Sequence, residues 1–129
     1  MAFTTNGFKL IAGLLIADGT TSFANANARL GVGDDSTAFD PSQTDLNPGV
    51  GGNKLRVGMV GGYPQRTNNA ITFQASFTTA QANWHWQENG IFNAASGATS
   101  MLTRKVEDLG TKTSASTATF TKTLTISQT

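Results

Sequence analysis

The stretch NAITFQASFTTAQANWHWQENGIFNAASGATSM, residues 69–101, decides how this chain folds. Ile71, Phe73, Ala75 and Phe77 alternate with Thr72, Gln74 and Ser76, the period of two that marks a strand with one buried face. Residues 78–81 are polar and read as a connection. Alternation resumes with Trp84 and Trp86 on one face and Asn83, His85 and Gln87 on the other. Both tryptophans and Phe73, Phe77 and Phe92 lie in this stretch, so it supplies much of the apolar area available for a core. The two strands are expected to pair as an antiparallel hairpin.

Outward from it, the C-terminal segment alternates as strongly. Ala118, Phe120, Leu124 and Ile126 share one face, with Thr117, Thr119, Thr121, Thr123, Thr125 and Ser127 on the other. β-Branched Thr suits a pleated, half-buried surface. Lys122 interrupts the apolar face, and an inward lysine is a device for protecting an edge strand. Upstream, Ala26, Ala28, Leu30 and Val32 define a strand, and Leu55, Val57 and Met59 define another within residues 54–60. Residues 101–106 add one more, and Leu109-Gly110 reads as a turn. Gly61-Gly62-Tyr63-Pro64 turns the chain before the central stretch. Residues 34–52 are loop, punctuated by Pro41, Pro48, Gly49, Gly51 and Gly52, with Phe39 and Leu46 as its apolar anchors. A loop of that length in a compact domain points to a function or an interaction arm.

Near the N-terminus, Lys9 precedes LIAGLLIA and the small residues Ala24-Asn25-Ala26, the outline of a signal peptide. A single positive charge, a minimal apolar run and Asp18 argue against that reading, and the run is too short to span a bilayer. A short amphipathic helix capped by Thr5 or Asn6 fits better, with Phe8, Ile11, Leu14 and Leu15 at helical spacing and Asp18-Gly19 as its stop. A buried strand is the competing reading. The whole is a mostly β single domain, residues 1–129: an antiparallel sandwich or open barrel of six or seven strands with one N-terminal helix.

Composition limits the chemistry. The 129 residues contain no cysteine and one histidine, which excludes disulfides, thiolate metal sites and multi-histidine zinc sites. Charged residues are 13% of the chain, against roughly 25% in an average soluble domain. Nine basic and eight acidic side chains are scattered singly for a net charge of +1, without the clustered basic face of a nucleic-acid binder. No cofactor, metal, nucleic-acid or membrane partner is expected. Low charge removes self-repulsion and suits assembly.

His85 alternates with the tryptophans and is expected at an exposed or interfacial position. Glu88 shares parity with Trp84 and Trp86, so without a bulge it points toward their face, where a carboxylate needs a partner. Arg104 or Lys105 on the next strand could supply one, giving a structural ion pair rather than a general acid. Gly31-Val32-Gly33 lacks the third glycine and helix of a dinucleotide site. Asp34, Asp35, Asp40 and Asp45 match no calcium-loop spacing and read as turn chemistry. Trp84, Trp86 and Tyr63 could form a carbohydrate-stacking set, although a Trp pair on one strand face is more often core.

The order GVGDD at 31–35, TDL at 44–46, NKLR at 53–56, ITFQASF at 71–77, ANWHWQENGIFNAASG at 82–97, MLTRKV at 101–106 and GTKT at 110–113, then a Thr-rich strand, resembles small structural proteins of tailed bacteriophage particles, of the tail-collar, fibre or capsid-decoration type. Their aromatic strand, E-x-G-[IL]-[FY], small-residue turn, strand ending in Arg, and Lys-Thr are matched here by Glu88-Asn89-Gly90-Ile91-Phe92, Arg104 and Lys112-Thr113. Asn89 stands where an apolar residue is commoner, and the long shaft of a full fibre is missing. The resemblance implies a non-enzymatic virion subunit, a homotrimer on the particle surface, made in the bacterial cytoplasm. Its partners would be itself and the major capsid protein, or alternatively tail proteins. Phe8, Leu14, Phe39, Leu46 and Tyr63 are the candidate assembly contacts. A carbohydrate- or cell-surface-binding module is the further alternative.

Overall fold

A computed structural model of the chain describes residues 2–49 and 52–127; residues 50 and 51 of the long loop, Gly51 among them, lie outside that range. The elements in order are β1 (Ala2–Phe3), α1 (Thr5–Leu15), β2 (Arg29–Gly33), β3 (Lys54–Gly58), β4 (Gln65–Thr67), β5 (Ala70–Phe77), β6 (His85–Phe92), β7 (Met101–Thr111) and β8 (Ala118–Thr125). Two antiparallel sheets form, of order β1-β7-β6-β2-β3 and β4-β5-β8. The mostly β architecture with one short N-terminal helix agrees with the sequence, and the arrangement is that of a sandwich.

The expected hairpin does not form. β5 pairs along its whole length with β8, Ala70 opposite Thr125 through Phe77 opposite Ala118, while β6 pairs with β2 and β7 in the other sheet. The connection between β5 and β6 therefore arches across the sandwich. The aromatic side chains meet through the core instead of across a ladder: Phe77 and Trp86 rings lie 5.0 Å apart and Trp86 and Phe120 6.0 Å apart. Alternation records which face a strand buries, and two such strands bury their faces equally well side by side or stacked. Here the stacked arrangement wins.

Between the sheets lie Leu30, Val32, Phe73, Ala75, Phe77, Trp86, Ile91, Leu102 and Leu124, with Trp84 and Phe120 half-buried against them. Ile126 departs from expectation: it follows the last residue of β8 and is 60% exposed. Phe92 also departs. It is fully buried, but in a second cluster with Leu46 and Met101 on the outer face of the larger sheet, beneath the long loop. Trp86 and Ile91 both face the inter-sheet core although they are an odd number of residues apart. The β6–β7 ladder is irregular between Trp86 and Glu88, and there the facing switches. Glu88, Gly90 and Phe92 consequently face outward, toward the loop. β7 meanwhile continues to Thr111 through Leu109 and Gly110, where a turn was expected; Gly110 has φ +86° and pairs with Trp86.

α1 forms where expected but is capped by Thr4, whose Oγ1 accepts from the Gly7 N–H at 2.9 Å. Asn6 instead donates its side-chain amide to the Met101 carbonyl at 3.0 Å. The helix docks on β7 through Gly7. A Cβ on Gly7 would lie 2.1 Å from the Leu102 carbonyl oxygen, so only glycine lets the helix approach β7 this closely. Ile11 packs against the core, while Phe8 at 61% exposure and Leu15 at 81% are left outside. Gly7→Ala tests this packing. Intrinsic propensity favours Ala by about 1 kcal/mol, yet we expect the variant to melt at a lower temperature than the wild type. A higher melting temperature would mean that the helix does not rest on Gly7.

Candidate functional site

The most polar buried region is the underside of loop 34–49, where the larger sheet presents Glu88 and Arg104. Gly90 on β6 pairs with Arg104 on β7, and Glu88 pairs with Gly33 on β2, so the sheet register brings carboxylate and guanidinium together. Arg104 Nε donates to Glu88 Oε1 at 2.9 Å, and both side chains are fully buried. The expected ion pair therefore forms with Arg104. Lys105 points to the opposite face and pairs with Glu107 at 2.9 Å, so it is not the partner of Glu88.

Each remaining polar atom of the pair is used to hold the loop. Glu88 Oε2 accepts from the Asn47 amide N–H at 2.8 Å, from Asn47 Nδ2 at 2.7 Å and from the Asp35 N–H at 3.3 Å. Arg104 Nη1 donates to the Thr37 carbonyl at 2.9 Å and to Gln43 Oε1 at 3.2 Å, and Nη2 to the Asp35 carbonyl at 3.4 Å. Burial pushes the Glu88 carboxyl above its ordinary value, while Arg104 and the Asn47 and Asp35 donors oppose the rise. Gly33 makes the room: a Cβ there would lie 2.2 Å from Glu88 Oε2. At Gly31 a Cβ would strike the Phe92 ring at 2.7 Å and Leu46 at 2.9 Å. The Gly-x-Gly thus exists for packing.

The aspartates of the loop close its turns. Asp35 Oδ1 accepts from the Thr37 N–H at 2.7 Å and Oδ2 from the Gly49 N–H at 2.9 Å. Asp34 accepts from Asn47 and Asn53 side chains, and Asp40 from the Ser42 N–H at 2.8 Å. Asp45 binds Lys54 at 2.8 Å and Arg56 at 3.0 Å. Partial burial raises its carboxyl pKa, and these two cations more than reverse that, leaving it below the usual value. Arg56 in turn lies 3.7 Å over the Phe92 ring and donates to Ala94 and Gly97 carbonyls and to Ser100 Oγ. Among the described residues no three His, Asp or Glu side chains gather as a metal cluster.

A second polar group sits between the sheets. Inward Lys122 of edge strand β8 meets Glu107 at 3.2 Å, and Asn89 Nδ2 donates to the same carboxylate at 2.8 Å. Asn89 thereby has a physical reason to replace an apolar residue. Desolvation raises the Glu107 carboxyl, but hydrogen bonds from Lys105, Asn89 and Lys122 outweigh it and bring the pKa down to about 2. His85, 43% exposed at its side chain, contacts Asp108 at 2.7 Å.

Of the assembly candidates, Phe8 is exposed, Leu14, Phe39 and Tyr63 are half-buried, and Leu46 is 2% exposed. Leu46 is therefore a core anchor of the loop and not a contact. Of the aromatic set for stacking on sugars, Trp86 is 6% exposed with Nε1 bonded to the Ala82 carbonyl at 2.8 Å. Sequence reasoning missed Gln43, Glu107 and the reach of Asn47 to Glu88, and read Asp35 as turn chemistry alone. Apart from the pair of Glu107 with nearby Lys105, their contacts with Glu88, Arg104, Asn89 and Lys122 span 15 positions or more, with no local spacing to mark them. Alongside these polar groups lies an apolar cleft of about 400 Å³ between α1 and the smaller sheet, lined by Phe3, Ile11, Leu14, Phe23, Ile71 and Leu124.

A scan against protein-family models finds no match for the chain, and a search of curated proteins finds no significant relative.

Two outcomes follow from the ion networks. Truncating Glu88 or Arg104 to Ala leaves the other charge buried alone, at a cost of about 3–5 kcal/mol, measurable by urea unfolding. Lys105→Ala, at a half-buried pair whose carboxylate keeps Lys122 and Asn89, costs less than either, about 1 kcal/mol. The second concerns acid. A carboxylate whose folded pKa is depressed contributes stability above its unfolded value, lost as pH falls toward the folded one. For Glu107 that window runs from the ordinary 4.5 down to about 2. Glu107→Gln should flatten the pH dependence of the unfolding free energy across this window; an unchanged slope would remove Glu107 from the account.

Proposed function

We propose that the chain is a non-enzymatic structural subunit of a bacteriophage particle, assembling as a homotrimer on the virion surface as a capsid decoration protein. The observation that carries the reading concerns the residues on which the resemblance rests. Glu88, Gly90, Phe92, Arg104 and Lys112 are interlocked framework groups: an ion pair, a close backbone approach, a loop-facing cluster and a backbone bond from the Lys112 N–H to the Trp84 carbonyl at 3.1 Å. Glu88, Arg104 and Phe92 among them prop loop 34–49 on the outer face of the sheet as an ordered platform, while Gly90 and Lys112 fix the β6–β7 pairing that carries it. A particle protein works through repeated contacts of a fixed surface, and pre-organising that surface lowers the ordering cost on docking.

The experiment is to add the purified chain to phage shells that lack it and to measure bound stoichiometry and shell melting. We expect saturable binding at fixed stoichiometry and a higher shell melting temperature, since a ligand specific for the assembled shell stabilises it by mass action. Arg104→Ala, which releases the platform from the sheet, should weaken binding by at least tenfold. Absence of shell binding with retained binding to tail structures would move the protein to the tail or collar. A tryptophan emission shift on adding oligosaccharide would favour the carbohydrate-binding module.

A further inference from the structure

We infer that the outward apolar face of α1, with the cleft beside it, is the surface through which copies of this chain associate; the inference rests on the self-assembling reading above and names the contact it needs. α1 is amphipathic in an unusual sense. Gly7 faces the protein, against the Leu102 carbonyl, and Ile11 and Leu14 are half-buried at the cleft, while Phe8 and Leu15 face away. Exposed Phe8 and Leu15 fall at i and i+7, a repeat with which helices of separate chains share a seam; half-buried Ile11 lies between them at the edge of the cleft, and exposed Ala12 lets a neighbouring backbone come close.

The surface is continuous. Phe8 stacks with Phe3 at 5.4 Å, and Phe3 lines the cleft with Ile11, Leu14, Phe23, Ile71 and Ile126. Leu15 is 81% exposed, Ile16 75%, Phe8 61% and Ile126 60%. At these exposures the four residues present roughly 500 Å² of surface, at the upper end of what a monomer carries in one patch. A standard interface takes about 800 Å² from each partner, of which somewhat under two thirds is apolar. This face therefore supplies about the whole apolar share of a stable contact. Exposed Lys9 and Asp18 flank the helix face as a sparse polar rim. A low net charge of +1 leaves little repulsion between copies.

Around a three-fold axis, the faces of three copies would bury one another in a closed ring that needs no other partner. The occupant is thus the chain itself, and the trimer proposed above sets the copy number.

The test measures the mass of the full chain by sedimentation velocity from about 1 to 100 μM. The wild type should sediment as a trimer. Leu15→Glu and Ile126→Glu place a charge on opposite walls of the surface at exposed positions, and each should weaken association by at least 100-fold while leaving the circular dichroism spectrum unchanged. Thr117→Glu, at the far end of β8 from Ile126, is the charge control and should remain trimeric. Because the chain has no cysteine, Leu15→Cys gives an independent reading: under mild oxidation it should form disulfide-linked pairs within the trimer. A trimer that survives both Glu variants overturns this interface and leaves the self-assembling reading standing. A wild type that is monomeric throughout the range overturns both, and shell binding then reports separately on the decoration role.

Discussion

The structure depends on one buried ion pair. Glu88 and Arg104 are fully inaccessible, and neither belongs to a hydrophobic core by nature. Taking two charges out of water is costly, and their mutual attraction offsets that cost only when every remaining donor and acceptor is matched. Here the matching groups come from loop 34–49: the Asn47 and Asp35 amides to the carboxylate, and the Thr37 and Asp35 carbonyls with Gln43 Oε1 to the guanidinium. The pair and the loop are therefore mutually conditional. Without the loop the pair is exposed on an outer sheet face; without the pair the loop keeps Leu46, its own turns and the contacts of Asp45 with Lys54 and Arg56, but loses the hydrogen bonds that hold Asp35, Thr37, Gln43 and Asn47 to the sheet.

That dependence explains features which otherwise look unconnected. β2 carries glycine at 31 and 33 because the outer face opposite β6 must admit the Phe92 ring and the Glu88 carboxylate. The β6–β7 ladder is irregular after Trp86 because the same strand must send an indole into the core and then a carboxylate out to the loop. Arg56 covers Phe92 and ties the 94–100 turn to Asp45 of the long loop. The second network, Glu107 with Lys105, Lys122 and Asn89, performs a comparable task between the sheets, holding edge strand β8 against β7.

Much of this was legible, for identifiable reasons. The strands at 71–77 and 118–125 show in their alternation, and Glu88 with Arg104 could be foreseen because a carboxylate in an aromatic strand must be neutralised. The partner choice between Arg104 and Lys105 was not legible, since adjacent residues on a strand face opposite ways and the ladder irregularity sets which one meets Glu88. The loop residues that complete the pair were invisible because each lies tens of positions from Glu88 or Arg104 in sequence. The helix was foreseen but its orientation was not. Apolar spacing marked Phe8, Ile11, Leu14 and Leu15 without saying which of them meets the sheet; close approach at Gly7 leaves Phe8 and Leu15 outward and Ile11 against the core.

By itself, the sequence determined the class of the protein: mostly β, free of disulfides, weakly charged, with a long turn-rich loop and a short N-terminal helix. Those properties follow from local periodicity, residue type and composition, which act over a few positions. Only the tertiary structure decided that the two aromatic strands stack across a sandwich instead of pairing as a hairpin. It alone decided that Phe92 and Leu46 form a separate cluster under the loop and that α1 shows Phe8 and Leu15 to solvent. Each of these depends on which surfaces meet, and a period of two or of 3.6 says which face is apolar without naming the surface that covers it.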